Sequence, residues 1–133
     1  MPAGTSPIFP QVPIIGIASM VSNTAVTART NIVGTTGLTQ VLANSTNGTR
    51  VDFIEVQGQG TTVATIIDIW INDGTNSYLV EEISLPAATA NTTVVASSNT
   101  IAFTKLTLPP TYRLFTSQQV SANVTVFAFG GTY

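Results

Sequence analysis

The sequence predicts an all-β chain, a single antiparallel β-sandwich of jelly-roll-like or Ig-like type behind an extended, Pro-rich N-terminal arm. Three observations carry this expectation. Only 8% of the 133 residues are charged while 44% are hydrophobic, so the Glu, Lys and Arg that build exposed helices are nearly missing, and β-branched Thr and Val take their place. Short runs of Val, Ile, Thr and Phe recur at roughly 8 to 12 residues between clusters of Gly, Asn, Ser and Pro, the spacing of a sandwich or barrel. No period of about 20 to 50 residues repeats, which excludes a solenoid or propeller.

Residues 1–13 form the expected arm, and 14–133 the domain. Pro2, Pro7, Pro10 and Pro13 fix φ and bias each preceding residue to extended geometry. Ile8 and Phe9 would be poorly placed on a free tail, so the arm is expected to lie on a surface. The opening stretch has no basic region ahead of its apolar part, which argues against a signal peptide or a membrane span. The candidate strands are 14–20, 24–28, 37–43, 50–57, 61–71, 77–85, 92–96, 100–108, 111–116 and 121–129. Asn47-Gly48 and Asp73-Gly74 each separate two of them, and both pairs tolerate the positive φ of a tight turn. Pro109-Pro110 requires a corner, because neither proline can donate to a ladder. Alternation assigns the core to Ile54, Val56, Val63, Ile67, Ile69, Leu79, Ile83, Phe103, Leu106, Leu114, Val124 and Val126.

Catalysis is argued against by what the composition lacks. The chain has no His and no Cys, which removes the usual general base, the commonest metal ligand and the thiol nucleophile. No serine sits in G-x-S-x-G, and the Gly-Gly pair near the C-terminus opens no helix that could cradle phosphate. Glu81 and Glu82 are adjacent on a strand, so they point to opposite faces and cannot act as a carboxylate pair. "DIWINDG" puts isoleucines where a calcium loop needs oxygen ligands. No cofactor, metal or catalytic residue is therefore expected. Asp73 has a conformational reason to precede Gly74. Glu81 shares parity with Leu79 and Ile83, and an inward carboxylate needs a partner, for which Arg113 or Lys105 is the candidate. The sequons at Asn44, Asn47, Asn91 and Asn123 carry little weight in a chain this rich in Asn and Thr. Trp70, Tyr78, Tyr112 and Tyr133 would stack sugars if exposed, although strand aromatics more often anchor cores and interfaces. Four basic residues against six acidic ones leave no stripe for nucleic acid. With so few charges, solubility rests on hydroxyl and amide groups or on assembly.

The succession "ANSTNGTRVDFIEVQ", "IDIWINDGTNSYLVEEISLPAAT", "LTLPPTYRLF" and "VTVFAFGGTY" resembles small β-rich virion structural proteins of tailed bacteriophages, over roughly residues 38–133. The shared features are an Asn/Gly turn before a Val-Ile strand, an Asp-Gly turn answered by "LxxEI", a "LxLPxxYxL" corner and a Gly-Gly-aromatic end. The double proline at 109–110 departs from the Pro-Gly or Pro-x of that corner. The resemblance implies a capsid decoration or cement protein, made in the host cytoplasm and bound to the outer surface of the head. Its implied partners are the major capsid protein and neighbouring copies of itself, in a homo-oligomer for which a trimer is favoured, with no nucleic acid and no membrane. The arm residues Ile8, Phe9, Val12 and Ile14 would make the partner contacts. The competing expectation is a tail-fibre or receptor-binding module that contacts glycans.

Overall fold

The computed structural model describes residues 12–21, 23–103 and 106–133. Ile8, Phe9 and Lys105 lie outside them. The described residues form ten strands and no helix: β1 (Val12–Val21), β2 (Ile32–Val33), β3 (Thr39–Leu42), β4 (Thr49–Gly58), β5 (Thr65–Asn72), β6 (Asn76–Leu85), β7 (Ser98–Ala102), β8 (Thr107–Leu108), β9 (Arg113–Gln118) and β10 (Asn123–Thr132). They make two antiparallel sheets. In the first the order is β1-β10-β4-β7, with β8 also pairing β4, and in the second it is β2-β6-β5-β9-β3. The chain is an all-β sandwich.

The core lies between the sheets and follows the two-residue period of each strand. Ala18 and Met20 of β1, Val124, Val126 and Ala128 of β10, and Val51, Ile54 and Val56 of β4 face Ile67 and Ile69 of β5, Ile83 and Leu85 of β6 and Leu114 of β9. Of the expected core residues, Ile54, Val56, Ile67, Ile69, Ile83, Leu106, Leu114, Val124 and Val126 are buried there, and Phe103 packs against them. Two are not. Val63 is 51% exposed, because Thr62 makes only an isolated bridge to Ala88 and the ladder begins at Thr65. Leu79 is half-buried on the outer face, because Val80 is an extra residue in β6: Ile69 opposes Glu81 but Trp70 opposes Leu79. One inserted residue reverses the parity of everything beyond it.

Two expected strands are not strands. Residues 24–28 share a single backbone bond with the sheet, from Val26 N to Gln118 O at 2.8 Å. In 92–96 the Asn91 side chain accepts from the amides of Thr93 and Val94, both at 2.9 Å, and such local bonds compete with a ladder. At the other boundary, β1 begins at Val12, two residues before the expected start of the domain. Pro13 opposes Gly131 within it, tolerated because β1 is an edge strand.

The turns use the residues their geometry demands. Gly74 joins β5 to β6 with φ of 101°, open to glycine without steric cost. Its N–H donates to Asn72 Oδ1 at 2.8 Å, and the amides of Thr75 and Asn76 donate to Asp73 Oδ1 at 2.9 and 2.8 Å. The Asn76 amide most of all, and that of Thr75, hold the Asp73 carboxyl below its usual range. Asn47-Gly48 precedes β4, with Gly48 at φ of 94°. At the Pro109-Pro110 corner, Tyr112 N donates to Pro109 O at 3.1 Å, and Thr111 takes φ of 84°. Proline second and a positive φ third is the type II pattern, which prefers glycine in the third place.

Two substitutions test these readings by urea unfolding. Thr111→Gly removes the left-handed penalty and should raise stability by about 1 kcal/mol. Gly16→Ala would place a Cβ 2.5 Å from the Val41 carbonyl oxygen and against the Leu42 side chain, where β1 leans on β3. It should cost about 1–3 kcal/mol.

Candidate functional site

The sandwich has two outer faces, and the chain treats them differently. On the first sheet, three cross-strand rows run from β1 through β10 and β4 to β7. Ile15, Phe129, Phe53 and Ala102 form one row. Ile17, Phe127, Glu55 and Thr100 form the next, and Ser19, Thr125, Gln57 and Ser98 the third. The first row is apolar throughout and the second over its β1 and β10 half, ahead of Glu55 and Thr100, and both are open to solvent. Ile15 is 62% exposed, Ile17 59% and Phe53 38%, with Phe127 and Phe129 half-buried between them.

The rings are organised. Phe53 stacks on Phe129 with centroids 4.7 Å apart, and Phe127 follows at 6.2 Å. Polar groups frame them. Arg50 Nε holds Asp52 Oδ1 at 2.8 Å at one end, and Gln59 Nε2 donates to Thr125 Oγ1 at 2.7 Å at the other. An open cavity of about 260 Å³ beside the Arg50–Asp52 pair is lined by Pro13, Gly130 and Gly131. Strand β1 bounds this face, and no residue from Val12 to Val21 is charged. An aromatic centre with a polar frame is the anatomy of a binding interface, and a long apolar edge strand without charge invites pairing with another chain.

The second sheet covers its outer face with its own chain. Residues 23–37 form a strap across it. The Asn23 carbonyl accepts from Gln118 Nε2 at 3.2 Å and Val26 bonds Gln118 O beside β9. The strap then crosses β5 to β6, where Arg29 Nε meets Glu82 Oε1 at 3.1 Å and β2 pairs Ser77 and Asn76. Beneath it β5 presents Asp68, Trp70 and Asn72, all essentially inaccessible. Trp70 Nε1 donates to Ser117 Oγ at 2.9 Å, and Asn72 Nδ2 donates to Ser77 Oγ at 2.9 Å, which in turn donates to Gly34 O at 2.6 Å. Asp68 is less well served. Its Oδ2 accepts from Gln119 Nε2, while its Oδ1 has no partner. Burial pushes its pKa up to about 6; the Gln119 bond opposes the rise, the Glu82 charge adds to it and Arg29 opposes it.

The expected Glu81–Arg113 pair does not form. Glu81 opposes Ile69 on the core-facing side of β6, whereas Arg113 opposes Asn72 on the outer side of β9. Glu81 instead accepts from the Glu82 amide at 3.1 Å, and the ion pair belongs to Glu82 and Arg29. Among the arm residues, Val12 is 56% exposed at the corner of the first sheet, and Ile14 packs against the core. Trp70 is 0% exposed and offers no platform to a sugar. Tyr78 is 37% exposed, its hydroxyl 3.3 Å from Asp73 Oδ2, and Tyr112 packs against the core.

The aromatic face escaped the sequence reading, although alternation in "VTVFAF" and "VDFIEV" puts Phe127, Phe129 and Phe53 opposite in parity to Val124, Val126 and Ile54. Among the described residues no three His, Cys, Asp or Glu side chains group as metal ligands. What the face can do chemically is bind by burying apolar area. In comparison with known proteins, the chain matches no family model and no curated sequence.

Proposed function

We propose that the protein is a virion structural component, a capsid decoration or cement protein that seats on the outer surface of a phage head and ties its lattice together. The observation that carries this reading is the uncharged row of Ile15, Phe129 and Phe53 beside Ile17 and Phe127, an apolar face that closes on nothing within the described chain. Exposed apolar patches of this kind mark contacts between proteins. Strand order adds support for the finer fold assignment: β1-β10-β4-β7 over β3-β9-β5-β6 is the alternation of a jelly roll, a fold common in capsids. The resemblance to small phage virion proteins points the same way.

The partners in this reading are the major capsid protein and neighbouring copies, with a trimer favoured. Val12 begins β1 at the corner of the aromatic face, and in this reading Ile8 and Phe9 belong with Val12 and Ile14 to the partner contacts. Many copies seated on one lattice let modest single contacts hold firmly. The low charge of the chain suits permanent interfaces. The head exterior is the location, after synthesis in the host cytoplasm.

Two experiments test the proposal. Purified protein mixed with heads stripped of it should co-sediment at a fixed stoichiometry, and a protein that stays in the supernatant at every ratio would overturn the reading. Ile15→Asp/Ile17→Asp changes two exposed side chains, so unfolding free energy should move by only about 0.5 kcal/mol per site. Head affinity should fall at least tenfold, a loss of about 1.4 kcal/mol. Undiminished binding by this folded variant would remove the aromatic face from the interface. Deleting residues 1–11 should likewise preserve the fold and lower occupancy.

A further inference from the structure

The buried carboxyl under the strap is not needed for docking and is costly where it sits. Asp68 lies on the outer side of β5 with no accessible surface. One oxygen is held by Gln119 and the other has no partner. An ionised carboxylate so placed is destabilising, whereas a neutral acid is tolerated. The charged groups around it are few. Glu82 faces it from β6, directly opposite in the ladder, and Arg29 reaches over from the strap to Glu82. From β9 come the neutral Ser117 and, just beyond the strand, Gln119. Arg113 lies farther along β9, opposite Asn72. Arg29 and Glu82 are themselves about half and one third exposed, so water and salt screen their hold on Asp68.

Among the described residues the strap lies between this acid and solvent, and it is tied down by separate polar contacts instead of a continuous ladder: Asn23 to Thr39, two contacts with Gln118, the Arg29–Glu82 pair, the two-residue β2 ladder, and Gly34 to Thr75 and Ser77. We propose that residues 23–37 are a pH-responsive cover, closed over Trp70 while Asp68 is protonated and loosened when Asp68 ionises.

The sign follows from linkage. In water Asp68 ionises at its ordinary value of 3.8, and beneath the strap at about 6. Between those values the closed state binds the proton that the open state releases. Closure is therefore strongest below about pH 4, weakens as pH rises through that interval, and is weakest above pH 6. The shift sets the range of the effect, up to about a hundredfold in the closing equilibrium.

The chain carries its own reporters. The amides of Val26 and Gly34 are tied by the strap's bonds to Gln118 O and Thr75 O, and Val126 in β10 belongs to the core ladder. Hydrogen exchange of the full chain, corrected for intrinsic rates, should show protection at Val26 and Gly34 falling by up to a hundredfold between pH 4 and pH 7. Val126 should stay constant, and Asp68→Asn should flatten the profile of the strap amides. Acrylamide quenching of Trp70, the single tryptophan, should rise over the same interval in the unsubstituted protein. Protection that does not change with pH would overturn the proposal. So would an equal fall in Asp68→Asn, or a parallel fall at Val126, which would mean global unfolding.

Discussion

Burial of β5 on both faces is the constraint from which most of the molecule follows. A strand in the middle of one sheet of a sandwich normally offers its second face to water, and polar residues alternate there. Here Ile67 and Ile69 enter the core while Asp68 and Trp70, facing the other way, are equally inaccessible. Trp70 brings a large apolar surface that must be covered and an N–H that must be bonded. The Ser117 hydroxyl on the neighbouring strand meets the second need and the strap from 23 to 37 meets the first. Asn72, Ser77 and Gly34 then form a chain of hydrogen bonds that fixes where the strap lands. Its cover in turn deprives Asp68 of solvent, and the raised pKa of that carboxyl is the consequence of shielding the tryptophan beside it.

The two outer faces differ for the same reason. The chain between β1 and β3 is spent on covering the second sheet. The first sheet has no such segment among the described residues, yet its outward positions on β1, β10 and β4 are as apolar as those beneath the strap. Hydrophobic residues on an outer face are ordinary when scattered. Stacked phenylalanines aligned with isoleucines across three paired strands are not scattered. A chain this poor in charge gains little protection from self-repulsion, so an uncovered face of this kind favours a partner over water. Assembly gives a use to what would otherwise be a liability.

Legibility from sequence tracked how local the determinant was. Gly74 and Gly48 were readable because the turn needs positive φ at a residue whose neighbours announce it. Ile67, Ile69, Val124 and Val126 were readable because the two-residue period persists while nothing is inserted. The failures are insertions and overrides. Val80 adds a residue to β6, moving Leu79 to the outer face. Asp52 does the same in β4, where Phe53 opposes Phe129 but Val51 opposes Gly130. Neither carries a glycine or other local sign. Glu81 kept its inward parity as expected, but its proposed partner Arg113 lies on the other side of its own sheet, a relation between strands 32 residues apart that no local pattern encodes. Residues 24–28 of the strap have a strand's composition without its ladder, because Val and Thr have the same propensity in either role.

The doubly covered strand also explains why Trp70 was ambiguous. In "TIIDIWIN" the odd positions hold Thr65, Ile67, Ile69 and Ile71, and the even ones Ile66, Asp68, Trp70 and Asn72. One side is apolar, and the other mixes a large aromatic with an acid and an amide. Such a mixture fits a wet face with an exposed ring, which would suit a sugar, or a dry face whose polar atoms are bonded to the chain above it. The two alternatives differ in whether Asn72 and the indole N–H find partners within the protein. They do, through Ser77 and Ser117, two serines that sequence alone left unremarkable. Hydrogen bonds from Trp70 and Asn72 of β5 to serines on its two neighbours are therefore what turns this surface into an interior and leaves the aromatic face of the first sheet as the one offered to a partner.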